Sequence, residues 1–325
     1  MRKVSSIIVG TGFAILVLGF AAKGITAEDP VKVSPKNYKM LLENDQIRVI
    51  DISIKKGEQV KMHTHPAKAT VDYLLTSGKL RLTLLDGKTV DFVGKGGEVL
   101  WDDASLTHSV KNTGDSDIHI VEVELKKFSD DPVRVAPNNY NVLQDNAQVR
   151  ILEIRIKPGE KVPMHSHPQT FSYNLSDYKR RFTFPDGTIN DSEEKAGASF
   201  WSEAFASSSE NTGTTEAHVL AVEMKKQRPD DPLKVEPEKS KLLFENDQVR
   251  AIEWWFKAGE KFEMHSHPEH VIYITKPSKI KFSFPDGKTS EVEMKAGQVI
   301  WSDPVTHSAE NIGTSEVRGI AFELK

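Results

Sequence analysis

The sequence predicts an all-β protein built of three tandem antiparallel units, each a jelly roll or small barrel. Three observations carry that expectation. A His-x-His-Pro tetrapeptide recurs as His63-Thr64-His65-Pro66, His165-Ser166-His167-Pro168 and His265-Ser266-His267-Pro268, and a motif that repeats in register marks a tandem array. Other positions keep step with it: Trp101, Trp201 and Trp301, Asp-Gly at 86-87, 186-187 and 286-287, and Asn-x-Gly at 112-114, 211-213 and 311-313. Within a unit the apolar residues alternate with a period of two, and no stretch after residue 27 carries a sustained helical stripe.

Each unit opens with Asp-Pro, at Asp29-Pro30, Asp131-Pro132 and Asp231-Pro232. Alternating runs such as Val49 to Ile54 and Val121 to Leu125 follow, bounded by Gly, Pro, Asn or Asp. In the first unit Leu80, Leu82 and Leu84 alternate with Arg81 and Thr83. In the third Ile280, Phe282 and Phe284 alternate with Lys281 and Ser283 before Pro285-Asp286-Gly287 turns the chain, a hairpin signature. About eight short strands in some 95 residues call for a closed or double-sheet architecture. The 325 residues thus divide into domains at 28–128, 129–228 and 229–325. The joints, Phe128-Ser129-Asp130 and Gln227-Arg228-Pro229-Asp230, are short enough to favour packed neighbours.

Residues 1–27 stand outside the repeat and read as a signal peptide. Arg2 and Lys3 precede an apolar stretch from Ile7 to Ala22, broken by Gly10, Gly12 and Gly19, and Ile25-Thr26-Ala27 is a suitable cleavage site. A periplasmic or secreted location follows, and a membrane enters only if that segment stays uncleaved. With no cysteine, disulfides and thiolate ligands are excluded. A formal charge of −4 and the lack of any basic run beyond short pairs exclude nucleic acid as a partner.

In a strand, residues i and i+2 face the same side about 6.5–7 Å apart, so both imidazoles of His-x-His reach one ion. A third ligand must come from another strand, and its candidates are His108 in the first unit and His307 in the third, each four residues before the recurring Asn. The second unit has Ser207 there and reads as a degenerate, structural domain.

These motifs resemble those of the cupin superfamily. Gly57 to His65, Gly159 to His167 and Gly259 to His267 match the opening G-x5-H-x-H of its first motif, and His108 to Asn112 and His307 to Asn311 match the close of its second. The resemblance covers nearly everything after residue 30 and implies jelly-roll barrels whose motif histidines hold a divalent metal. It also implies a glutamate ligand two residues before Tyr73, Tyr173 and Tyr273, where Val71, Phe171 and Val271 stand instead. The expected sites are therefore His63, His65 and His108, and His265, His267 and His307, three neutral imidazoles each. Such a set suits zinc, iron, manganese, copper or nickel and leaves positions open for a small-molecule ligand. His270 is expected to turn to the opposite face.

The recurring tyrosines are expected in the core, within reach of a metal-bound ligand. The tryptophans are expected as packing anchors, His119 and His218 as solvent-facing, and the basic residues 81, 181 and 281 as a solvated outer face. Two function classes follow from the resemblance: an exported triple-cupin protein that binds metal and a small molecule in domains 1 and 3, or a metal-dependent enzyme of oxygenase, isomerase or hydrolase type.

Overall fold

The computed structural model describes residues 28–67, 69–102, 106–126, 130–146, 148–225, 228, 230–246 and 248–325. The signal-peptide reading of residues 1–27, and most of the two joints, lie outside them. Among the described residues there are 27 strands, three one-turn helices and six antiparallel sheets, one five-stranded and one four-stranded sheet per repeat. No helix among them is long and apolar enough to cross a membrane.

In the first repeat the five-stranded sheet runs Tyr38–Glu43, Ile47–Ile54, Ile118–Leu125, Ala69–Leu74, Val99–Asp102. The four-stranded sheet runs Gln59–Thr64, Thr107–Asn112, Gly78–Leu84, Thr89–Gly94. The other repeats follow the same order. Neighbours in these sheets are distant in sequence, which is the jelly-roll pattern, and the inward faces of the two sheets enclose a barrel.

The Asp-Pro openings are helix starts. Asp29, Asp131 and Asp231 accept the backbone N–H two residues on at 3.0, 3.0 and 2.9 Å, and proline occupies the first helical position, where its missing N–H costs nothing. The motif glycines Gly57, Gly159 and Gly259 take φ of 76, 76 and 77°, a left-handed turn that other residues resist. After this turn comes the histidine strand. Val60 and His63 are both buried although three residues apart, and strict alternation would set them on opposite faces. A register shift between them resolves the conflict, and it recurs at Val162/His165 and Phe262/His265. This bulge re-aims each His-x-His pair into the barrel.

The recurring asparagines close the opposite side. Asn112, Asn211 and Asn311 are fully buried, and each side-chain amide donates to two backbone carbonyls, as Asn112 does to Ile54 and Ser116 at 2.9 Å. Each Oδ1 accepts the N–H of the glycine two residues on.

The chain separates into two compact units, residues to Phe128 together with Val235–Lys325, and Ser129–Lys234. In the first unit, the five-stranded sheets of repeats one and three share one hydrophobic core. Val71, Tyr73, Val121 and Val123 meet Val271, Tyr273, Ile320 and Phe322, with Trp101 and Trp301 packed against them. Trp101 stacks on Phe244 at 6.1 Å between ring centres, and Gln46 Nε2 donates to Glu269 at 2.8 Å. The two repeats that share this core are not adjacent in sequence. The second unit is a single barrel with its own core around Tyr140, Leu152, Val162 and Val219.

Replacing Asn211 with alanine strands two carbonyls and an N–H in a buried corner, so it is expected to destabilise the second barrel by about 2–3 kcal/mol. Urea denaturation followed by circular dichroism measures the loss, and an unchanged midpoint would show that this corner is not a structural joint.

Candidate metal centres

The register of the four-stranded sheets decides which histidines meet. His63 lies directly opposite His108, and His265 opposite His307, on adjacent antiparallel strands. His63, His65 and His108 have ligand atoms all within 4.8 Å of one another, and so do His265, His267 and His307. Ring centres in the first group are 4.6–5.5 Å apart. In the second repeat His165 faces Ser207 instead.

Hydrogen bonds set which nitrogen faces the cluster. Nδ1 of His63, His165 and His265 donates to the carbonyl two residues earlier at 2.7, 2.7 and 2.6 Å. Nδ1 of His108 donates to the Leu106 carbonyl at 3.1 Å. A carbonyl only accepts, so these rings carry their proton on Nδ1 and keep the Nε2 lone pair.

The second histidine of each pair is held by a carboxylate missed in the sequence. Nδ1 of His65, His167 and His267 donates to Glu124, Glu223 and Glu323 at 2.9, 2.8 and 2.7 Å. These glutamates sit on the central strand of the five-stranded sheet, almost wholly buried. Each is paired with an arginine of the neighbouring strand: Arg48 to Glu124 at 3.1 Å, and Arg150 and Arg250 to Glu223 and Glu323 at 2.5 Å. Arg48 and Arg150 also reach the helix-capping Asp29 and Asp131, at 2.9 and 2.6 Å. A chain of aspartate, arginine, glutamate and histidine thus runs from the opening of the repeat into the barrel. Its signal was legible, because a Glu stands twelve residues after each recurring Asn, and an Arg follows at 48, 150 and 250.

Two expectations about facing are corrected. Val71 and Val271 belong to the shared core, on the sheet face turned away from the histidines, and Phe171 is exposed. The position implied for a ligand glutamate is therefore displaced by one residue, and the inward positions are Thr70 and Asp72, Thr170 and Ser172, His270 and Ile272. His270 accordingly faces the site: it is 1% exposed, its ring lies 4.6 Å from that of His267, and its Nδ1 donates to the Pro268 carbonyl at 2.8 Å. Asp72 is a carboxyl beside the first site, opposite Glu122 in the register. By the same alternation Tyr73 and Tyr273 face the shared core, out of reach of a metal-bound ligand.

The remaining residues have ordinary places. His119 contacts Asp51, His218 pairs with Glu153 at 2.9 Å, and Arg318 pairs with Glu253 at 3.3 Å, so one cross-strand pair recurs on the outer sheet. Arg81 and Arg181 are exposed and paired with Asp91 and Asp191 at 2.6 and 2.8 Å. Trp201, unlike its two counterparts, is 51% exposed.

Electrostatics separate the three sites. Burial, together with neighbouring imidazoles, lowers His63 and His265 to about 4, His108 to about 3 and His307 to about 2, so all four are neutral and ready to ligate at neutral pH. His65 is the exception. Burial opposes its charge, but Glu122 and Glu124 overcome that and raise it well above the usual range. Glu122 is particular to the first repeat, where the others have Ala221 and Ala321. Burial and the Glu122 charge in turn raise Asp72 well above the usual carboxylate range.

Tyrosine makes a further difference. The Tyr38 hydroxyl lies 3.3 Å from Nε2 of His63, and that of Tyr140 lies 2.8 Å from Nε2 of His165. The third repeat has Ser240, whose hydroxyl donates to the Glu236 carbonyl. A three-imidazole donor set with free Nε2 lone pairs and carboxylate-held partners fits a borderline transition metal rather than Mg²⁺ or Ca²⁺.

No protein-family model matches the chain, and no curated protein matches it. Solved structures similar to it include a cupin domain from Bordetella pertussis, 24% identical over 27% of this chain and 92% of its own, with a TM-score of 0.25. A cupin 2 conserved barrel domain protein from Leptotrichia buccalis is 14% identical over 58% of this chain and 88% of its own, at 0.22. An oxalate decarboxylase from Bacillus subtilis is 12% identical over 59% and 71%, also at 0.22. What decides the fold is in the chain itself: two sheets in jelly-roll order, with the motif histidines opposite each other inside. Each repeat is a jelly-roll barrel of two antiparallel sheets. In this array the middle barrel keeps the scaffold and lacks the third imidazole.

The depressed histidines give the metal-free protein a signed pH dependence. Their folded values lie below the ordinary 6.5, so the unfolded chain binds more protons than the folded one between about 6.5 and about 4, and stability falls as pH falls through that window. Urea midpoints measured with chelator present are expected to drop across it, and less steeply in a His108→Asn/His307→Asn variant. Equal slopes would show that these imidazoles are not held neutral.

Proposed function

We propose that the chain is an exported metal-binding protein that holds one divalent transition-metal ion in each of its first and third cupin barrels. The ligands are His63, His65 and His108 in one and His265, His267 and His307 in the other. The observation that carries this reading is the convergence of each imidazole triad within 4.8 Å, on strands whose register sets His63 opposite His108 and His265 opposite His307. Glu124 and Glu323 hold the tautomer of His65 and His267, as carboxylates behind metal-ligating histidines do. A bound metal would act as a Lewis acid with positions open to a small-molecule ligand. Export, to the periplasm or beyond, is supported by the charged, apolar and small-residue order of residues 1–27.

A metal-dependent enzyme is the second reading, and the Asp72–Glu122 pair favours it for the first barrel alone. A carboxyl raised by burial and by the Glu122 charge beside the imidazole cluster is placed to give or take a proton from a ligand bound there. The third barrel, with Ile272 and Ala321 at these places, has no such group.

Elemental analysis of the purified full chain after zinc loading and gel filtration is expected to give about two ions per chain. His63→Ala/His65→Ala and His265→Ala/His267→Ala should each remove one, and the combination both. Substoichiometric metal that is unchanged in the combined variant would leave the histidines a packing role and end this reading.

A further inference from the structure

The middle barrel holds a cavity. Between its sheets lies a space of about 70 Å³, lined from both sides by Tyr140, His167, Arg180, Phe205, Ser207 and Ala217 among others. Small or polar residues stand here at positions that are large and apolar in the first repeat. Ala217 stands where the first repeat has Ile118, Ser209 where it has Val110, and Asn174 where it has Leu74, all three buried members of the first barrel's core. In the third barrel Trp254, where the middle one has Ile154, fills the interior up to Gly319.

The cavity has one polar pole. Ser207, 1% exposed and in the place of the third histidine, has no hydrogen-bond partner for its hydroxyl, and a buried unpaired hydroxyl marks a missing partner. His167 gives its Nδ1 proton to Glu223, which leaves Nε2 as an acceptor at the same pole. The nearby cation is already spent: Arg180 is bound to Glu194 at 3.0 Å and to the Ser192 hydroxyl at 2.9 Å, and it stacks on Phe182 and Phe200.

We propose that the middle barrel is a binding site for a small neutral alcohol, whose hydroxyl donates to His167 Nε2 and accepts from Ser207 while its carbon body lies against Phe205, Val219 and Ala217. An anion finds no free positive charge there, and a purely apolar molecule leaves Ser207 unpaired. The volume is about half of the roughly 150 Å³ that accommodates benzene in an engineered apolar cavity, which matches a body of three or four carbons.

The test uses the full chain and propan-2-ol, followed by NMR shift changes of the alanine and valine methyl groups. Saturable binding in the millimolar range is expected, at least about fivefold weaker for acetone, which cannot donate to His167, and absent for isobutyrate. Ala217→Ile, which installs the first repeat's own residue and keeps a β-compatible core, should abolish binding with an unchanged melting transition. No saturable binding, equal affinity for acetone, or full binding by a folded Ala217→Ile protein would overturn the assignment.

A separate observation concerns the outer face of the same barrel. Phe171, Tyr173 and Trp201 are 42, 41 and 51% exposed, whereas the equivalent Val71, Tyr73 and Trp101, and Val271, Tyr273 and Trp301, form the shared core of the first unit. One face therefore pairs with itself, repeat against repeat, wherever two copies are present in the unit. We infer that the middle barrel's face pairs with that of a second copy of this chain, in a two-fold dimer that repeats the pairing of barrels one and three. Sedimentation of the full chain at about 50 μM should show a dimer, and Phe171→Asp/Trp201→Asp a folded monomer. A wild-type monomer, or a dimer that survives the double substitution, would contradict it.

Discussion

The buried ion pair between a strand arginine and a glutamate on its neighbour governs much of this molecule. Arg48, Arg150 and Arg250 each lie largely out of water beside Glu124, Glu223 and Glu323. Removing one partner of such a pair strands a charge at about 3–5 kcal/mol, so the two strands and the groups attached to them are held as a set. On one side Arg48 and Arg150 bind the aspartate that caps the first helix. On the other, all three glutamates take the Nδ1 proton of the second motif histidine. Opening, sheet and site are thus linked through one buried chain of charges, and the imidazole enters the barrel with its tautomer fixed.

On that common frame the three barrels differ in the residues they turn inward. The first adds Asp72 and Glu122, and the charge of Glu122 raises the pKa of His65. The third has apolar residues at these places and adds His270, so its interior is a cluster of four imidazoles under a packed Trp254. The second exchanges the third imidazole for Ser207 and its bulky neighbours for small ones, which opens space where the sisters have side chains. The frame tolerates these exchanges because the Arg–Glu pair and the asparagine corner do not involve the exchanged positions.

Much of this was legible in the sequence. The repeat, the period of two, the Asp-Pro and Asp-Gly turns and the pairing of His63 with His108 and of His265 with His307 all follow from spacing, because turns and alternation are local. The misread features are those that depend on phase or on distant partners. The turn at Pro66 and Pro268 separates the histidine strand from the next, so alternation does not carry its phase across, and Val71 was set in the ligand position when Asp72 and His270 face the site. Glu124, Glu223 and Glu323 recur at a constant distance from the asparagines, yet an alternating Glu on a strand reads as a solvent face until the opposite sheet is known to cover it. That barrel one packs on barrel three rests on residues such as Trp101 and Phe244, which stack on each other although 143 positions apart in the chain.

The central claim is that Glu124, Glu223 and Glu323 fix the histidines through a buried Nδ1–H bond, and ¹⁵N-resolved proton NMR of the histidine-labelled, metal-free full chain tests it most directly. Three slowly exchanging Nδ1 protons, shifted far downfield by a carboxylate acceptor, are expected, and each of Glu124→Ala, Glu223→Ala and Glu323→Ala should remove one. An unprotonated Nδ1 on His65, His167 or His267, or signals that persist in the three variants, would contradict it.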